Sequence, residues 1–394
     1  MKISILLPYK ENFSPDYPGA VSLFVKETTD QSRYKKNIKI YGSTEYKNLY
    51  KFPYQNIIIN KNFIGSQTKS YINGFIKFEK KKPSELIEIH NRPVYLRYLS
   101  EKLNKRTFTL FFHNDPLSME GSKSIKDRNF LLAHSQKIIF NSHWSKNRFL
   151  EGLNSKLISS EKLKVFYQSA KKGSKTLITK KKKWITFVGK LNQAKGYDIF
   201  GKAIIKILNK NKNWSAKVVG DEKREKINFE HKNLKKYGFL NHKKVLSIYK
   251  ETSIAVVCSR WEEPFGRTSL EAAANGCAVI ISRKGGLPET ITNAVVLKEL
   301  SVADLYSKID FLIKNPKERK KLQSLSIKNF FLTHKYVSNL IDNYRDEKLK
   351  KIIHFFTKKK VQSLRILHVT NFNERLDGRL FFNTGRRINN GFIR

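Results

Sequence analysis

Ser259-Arg-Trp-Glu-Glu-Pro-Phe-Gly-Arg-Thr-Ser-Leu-Glu-Ala-Ala-Ala-Asn-Gly-Cys-Ala-Val-Ile-Ile-Ser-Arg-Lys-Gly-Gly-Leu-Pro-Glu289 decides the fold. The apolar run Ile254–Cys258 just before it reads as a buried strand. Thr268–Asn275 has helical character, Ala278–Ser282 is a second apolar strand, and Gly-Gly-x-Pro-Glu makes a turn. Strand, loop, helix and strand in that order form one unit of a parallel α/β sheet. Ligands of such sheets bind outside the carboxyl ends of the strands. Glu263 falls in the loop at that edge, and Glu271 falls near the end of the first helical turn. Gly266 lets the backbone approach a ligand, because glycine has no side chain to obstruct it. The amides of Gly266, Arg267 and Thr268 open the helix, where a phosphate is favoured. A carboxylate can accept from two vicinal hydroxyls, so the whole order reads as a sugar-nucleotide site.

The same alternation runs through the rest of the chain. Ile3–Leu7, Ile38–Tyr41, Ile57–Ile59, Leu86–Ile89, Phe108–Phe112 and Ile138–Phe140 read as strands, with helices from Ala20 and over Val94–Lys102 and Ser145–Leu153. After a break the pattern restarts with strand Trp184–Val188, helix Tyr197–Leu208, strand Ala216–Val219 and helix Lys243–Tyr249. The expected organisation is a Rossmann-like domain over 1–169, a basic linker over 170–183 and a second Rossmann-like domain over 184–350 with terminal helices. A tail over 351–394 resembles the start of a further α/β domain: either it pairs with the existing domains or the chain continues beyond it, the reading we favour.

The chain has 394 residues, 78 Lys+Arg against 33 Asp+Glu, a formal charge of +45, and 40% hydrophobic residues, enough for a normal core. The charge favours anionic partners. Lys, Ile, Asn and Phe are all abundant, as in proteins of AT-rich genomes, which accounts for much of it. The lysines are dispersed, and no nucleic-acid-binding module stands out, so no nucleic-acid partner is expected. Cys258 and Cys277 are the only cysteines, too few for a disulfide framework, and they lie in apolar surroundings that suit buried free thiols. No run approaches the ~18 apolar residues of a membrane span. A cytoplasmic protein is expected. Its Lys80–Lys82 and Lys171–Lys183 stretches either touch anionic lipid at the inner face of the membrane or are simply solvated.

Two further elements join the opening motif. Phe187-Val-Gly-Lys-Leu-Asn-Gln-Ala-Lys-Gly196 follows a strand and opens a helix, so that Gly189 and Gly196 bracket Lys190 and Lys195 at a sheet edge, well placed for a diphosphate. His90 in Glu88-Ile-His-Asn and His113 in Phe111-Phe-His-Asn each leave an apolar strand for a polar loop. No His/Cys/Asp/Glu cluster has metal-ligand spacing, and no Asp-x-Asp is present, so metal-independent chemistry is expected.

From Met1 to about Lys350 these motifs resemble the GT-B glycosyltransferases of the large retaining family 4, or glycosyl transferases group 1. Asp16-Tyr-Pro-Gly-Ala20 occupies the place of that family's glycine loop. The resemblance implies two Rossmann-like domains facing a cleft, and transfer of a hexose from a UDP- or GDP-sugar, with retention and no cofactor. It places Glu263 on a donor-sugar hydroxyl, Glu271 on the ribose, and Lys190 and Lys195 on the diphosphate. His113 falls beside the anomeric carbon or the sugar 6-position, Gly238–Leu240 at the base, Gly19 and Ala20 near the phosphates or acceptor, and His90 and Asn91 on the acceptor side. The implied acceptor is a glycan or glycolipid of lipopolysaccharide or other cell-surface polysaccharide synthesis; the rival readings are an inactive GT-B scaffold and a basic nucleic-acid-binding protein. Two positions depart from the family. Lys190 stands for an Arg, replacing a bidentate fork by a point charge, and Ala20 stands for a second glycine.

Overall fold

The computed structural model describes residues 1–59, 66–157, 160–291 and 293–356. The first half runs β1 (Ile3–Leu6), α1 (Ala20–Asp30), β2 (Ile38–Gly42), β3 (Tyr54–Asn56), α2 (Gln67–Lys81), β4 (Leu86–His90), α3 (Val94–Lys102), β5 (Thr107–Phe112), α4 (Ile125–His134), β6 (Lys137–Phe140), α5 (His143–Leu150) and β7 (Leu163–Val165). The second runs β8 (Lys182–Val188), α6 (Tyr197–Lys210), β9 (Ser215–Val219), β10 (Leu234–Lys236), α7 (His242–Glu251), β11 (Thr252–Val257), α8 (Arg267–Ala274), β12 (Ala278–Ile281), β13 (Val295–Val296), α9 (Val302–Lys314), α10 (Pro316–Lys328) and α11 (His334–Phe356).

The strands form a seven-stranded sheet, β3-β2-β1-β4-β5-β6-β7, and a six-stranded sheet, β10-β9-β8-β11-β12-β13. Every recorded pairing is parallel. Helices cover both faces of a parallel sheet, so its central strands are apolar without alternation. Accordingly β1 and β11 are buried along their whole length. In α6 the residues Phe200, Ala203, Ile204, Ile207 and Leu208 recur at helical spacing and pack with Ile185, Phe187 and Val218. Cys258 and Cys277 are buried free thiols.

The expected 170–183 linker is stitched to its surroundings. The Ala170 amide donates to the Leu332 carbonyl (3.0 Å) and the Gly173 amide to that of Ala274 (2.8 Å). The Lys181 ammonium donates to the Tyr249 and Asn275 carbonyls at 2.9 and 2.6 Å.

Residues 1–346 form one compact unit; the expected tail over 351–394 lies, from residue 357 on, outside the described residues. The start of α11, expected to close the second domain, instead joins the core of the first sheet. Val337, Ile341 and Tyr344 pack with Ile3, Ile5 and Phe111. Beside them, buried Arg345 donates to both carboxylate oxygens of Glu88 on β4 (2.8 and 2.6 Å), to Asp342 (3.0 Å) and to Ser32 (3.1 Å). Burial pushes the Arg345 guanidinium down, but the Glu88 and Asp342 carboxylates outweigh it and the net shift is upward.

Candidate active site

The loop after β8 is built to present Lys195. The Asn192 side chain accepts from the Lys195 amide (3.0 Å), capping a short 3-10 turn over Gln193–Lys195. Gly196 follows with φ 73°, and a Cβ there would lie 1.9 Å from the Cys258 carbonyl. Only glycine allows this close crossing of the loop over the end of β11. The Lys195 ammonium consequently reaches the Glu263 carboxylate and donates to its Oε1. The two groups expected on the diphosphate and the sugar thus pair with each other. The Glu263 main chain is pinned by the Gly286 amide, which donates to its carbonyl (2.7 Å).

Gly266 has φ 103° and precedes α8, which no side chain caps. The sequence assigns its missing side chain to ligand approach; a Cβ there would lie 2.4 Å from Leu287 Cδ2. Packing against Leu287 and the left-handed backbone account for glycine here.

Glu271, one turn into α8, is buried and held on one oxygen. Arg267 Nε (2.6 Å) and His242 Nε2 (2.8 Å) both meet its Oε1. No contact of Oε2 is recorded among the described residues, so that oxygen is the one able to accept from a hydroxyl. Burial pushes the Glu271 carboxyl up, but Arg267 and His242 more than offset it, and it titrates below the usual carboxylate range. Arg267 also reaches across to the first half, where Nη2 donates to Glu27 Oε2 on α1 (2.7 Å). Its Nη1 is buried without a partner among the described residues.

On the opposite wall, His113 follows β5. Its amide donates to Asn91 Oδ1 (3.1 Å), and its carbonyl accepts from Asn141 Nδ2 (3.0 Å). Its Nε2 lies 3.0 Å from Nδ1 of His90. Burial pushes the His113 imidazole down to about 3, and that of His90 well below its ordinary value, so both rings are neutral.

A cavity of about 230 Å³ lies between these walls. Of the expected residues it is lined by Ala20, His113, Gly189, Lys195, Glu263, Gly266, Arg267 and Thr268. Six others do not line it. Lys190 is exposed, and Leu240 is partly buried against the second sheet's core. Gly19 faces the Glu11 carboxylate, which accepts from the Ser22 amide (2.8 Å) and takes up the start of α1. Glu271 stands behind Arg267 as described. His90 and Asn91, expected on the acceptor side, are buried behind His113 as its supports. Local reading missed Glu27, His242 and Glu289. Glu289 closes the Gly-Gly-Leu-Pro-Glu turn and accepts from the His143 and Trp144 amides (2.7 and 2.8 Å), capping α5 of the other half. Among the described residues no group of three or more His, Cys, Asp or Glu could hold a metal ion.

The two parallel sheets are what the resemblance requires, and comparison with known proteins agrees on that fold. Residues 135–328 match the family described as glycosyl transferases group 1. A 41.2 kDa protein in the cps region of Klebsiella pneumoniae is 31% identical over 152 residues, 35% of this chain and 41% of that protein. The lipopolysaccharide core biosynthesis mannosyltransferase LpsB of Rhizobium meliloti is 27% identical over 39% of this chain and 47% of its own. The chain thus spans less than half the length of either curated relative. The crystal structure of Anabaena Alr3699/HepE in complex with UDP and glucose matches with a TM-score of 0.67 at 17% identity, over 89% of this chain and 99% of that one. The expected GT-B architecture is the one found.

Proposed function

We propose that this protein transfers a hexose from a nucleoside-diphosphate sugar to a glycan or glycolipid acceptor, with retention and without a metal. The observation that carries the reading is the cavity itself, which gathers an ammonium, a carboxylate, a neutral imidazole and an uncapped helix start. In this reading the α8 amides and Lys195 meet the diphosphate, Glu263 accepts from a sugar hydroxyl, and Glu271 Oε2 accepts from the ribose. The bond from the anomeric carbon to the phosphate oxygen breaks, and the bond to the acceptor oxygen forms on the same face. The acceptor's proton passes to the departing phosphate. Charge that grows on that phosphate is met by Lys195 and by amide dipoles already in place, which is where fixed charge lowers a barrier most. Donor binding also draws Lys195 off Glu263, freeing the carboxylate for the sugar. His113 stays neutral, so it can hold a hydroxyl without adding positive charge beside the developing oxocarbenium ion.

The similarity to a lipopolysaccharide core mannosyltransferase supports an envelope glycan or glycolipid as acceptor. No helix among the described residues is long and apolar enough to cross a membrane. Access to a lipid-linked acceptor would then be peripheral, through exposed lysines such as Lys171 and Lys175. A screen of UDP-, GDP- and ADP-sugars, read by nucleotide release with and without lipid-linked glycan, tests the reading. One donor class should be turned over. No turnover, together with no heat of nucleotide binding by calorimetry, would leave a scaffold in place of an enzyme.

A further inference from the structure

We propose that His90 is a positioning residue for His113: its contact couples the tautomers of the two rings, so that the hydrogen-bonding sense His113 offers the cavity is set jointly with His90. This rests on the donor-site reading above. His90 Nδ1 and His113 Nε2 are 3.0 Å apart, with the ring planes 19° from parallel. Two neutral imidazoles in such a contact share one hydrogen, so one nitrogen donates and the other accepts. Each ring then carries the complementary role on its remaining nitrogen. If His90 Nδ1 donates, His113 has its hydrogen on Nδ1; if His90 Nδ1 accepts, His113 Nδ1 is a bare acceptor. Those remaining nitrogens, His90 Nε2 and His113 Nδ1, are buried and have no partner among the described residues. His113 lines the cavity. A buried polar atom left without a partner is costly, and a ligand hydroxyl is the partner that would satisfy it.

The His90 ring is held to this task. It stacks on Phe111 with centroids 4.4 Å apart and planes 7° from parallel. Phe24 of α1 packs against both imidazoles, at 6.3 Å from His90 and 5.1 Å from His113. Asn91, with φ 54°, fixes the His113 main chain through its side chain. The pair is therefore a rigid unit in which only the placement of the shared hydrogen is left to choose.

Ring-nitrogen NMR of 15N-histidine-labelled protein tests this, with His113 assigned by loss of its signals in His113→Asn. The unaltered protein should show matched tautomers, with the hydrogen on Nδ1 of both rings or on Nε2 of both. His90→Phe keeps a ring on Phe111 but removes the contact; the His113 tautomer populations should then shift, and kcat should fall by ~10-fold or more at nearly constant donor KM. His90→Asn places an amide where Nδ1 stood and should keep the His113 populations and most of kcat. Mismatched tautomers in the unaltered protein or unchanged His113 populations in His90→Phe overturn the proposal, as does equal impairment of His90→Asn and His90→Phe, which would mean packing alone. If the unaltered protein turns over no nucleotide sugar, the functional reading fails, and the spectra alone decide the tautomer claim.

Discussion

Arg345→Met should destabilise the protein by about 3–5 kcal/mol, because it strands a buried carboxylate. Arg345, Glu88 and Asp342 are all buried. Asp342 survives the loss, since Ser32 Oγ and the Arg33 amide still donate to it at 2.7 Å each. Glu88 does not, because Arg345 is its recorded partner on both oxygens. The penalty therefore belongs mainly to one residue, and Arg345→Met/Glu88→Met should recover at least half of it. Urea unfolding followed by tryptophan fluorescence and far-UV circular dichroism measures all four corners of the cycle. If the probes do not coincide, the transition of the first half is the one to compare. The coupling energy should exceed ~2 kcal/mol. A single-variant loss below ~1 kcal/mol, or a double variant no better than the single, would refute the claim that α11 is tied to the first sheet by a charge-matched buried pair. The consequence reaches the site, since Glu88 is two residues before His90 on β4 and shares its face.

Glu263→Ala and Lys195→Ala should each lower turnover at least ~100-fold, about 2.7 kcal/mol. Because the two side chains bond each other, the double variant should lose less than the product of the two, read from kcat/KM with the donor found in the screen. Gly196→Ala should lower the thermal midpoint by the equivalent of roughly 2 kcal/mol or more and reduce turnover, since its Cβ would meet the Cys258 carbonyl; a stable, active variant would disprove the close crossing that aims Lys195. Stability should fall as pH drops below ~6.5, because the unfolded chain binds a proton at His113 that the folded protein refuses until about 3. That one group contributes up to ~1.4 kcal/mol per pH unit across the window. His113→Phe should flatten the slope by one proton in pH-resolved urea titrations, and an unchanged slope would show that His113 is protonated in the fold.

What was legible in the sequence, and what was not, divides by the range of the interactions. The β11–α8–β12 segment could be read closely, because an apolar run, a glycine turn and an alanine-rich helix are local signals. Lys195 and Glu263 could be read with it, since each sits a few residues past a strand end, where the parallel sheet dictates which way the chain emerges. Short or polar strands were harder. Tyr54–Asn56 pairs with β2 where apolarity pointed to Ile57–Ile59, and Leu234–Lys236 has too little apolar pattern to stand out. The helical character of α11 is local, but its choice of sheet depends on Glu88, far back in the chain. The same holds for Arg267. Its position at the start of α8 suggests a phosphate ligand, yet a cation beside the first amides of a helix is there at a macrodipole cost. Glu27 and Glu271 offset that cost, and Glu27 belongs to the other half of the molecule. Arg267 therefore has two partners before any donor arrives, one of them across the cleft. That tie from α8 to α1 is one that no local pattern in residues 259–289 could reveal.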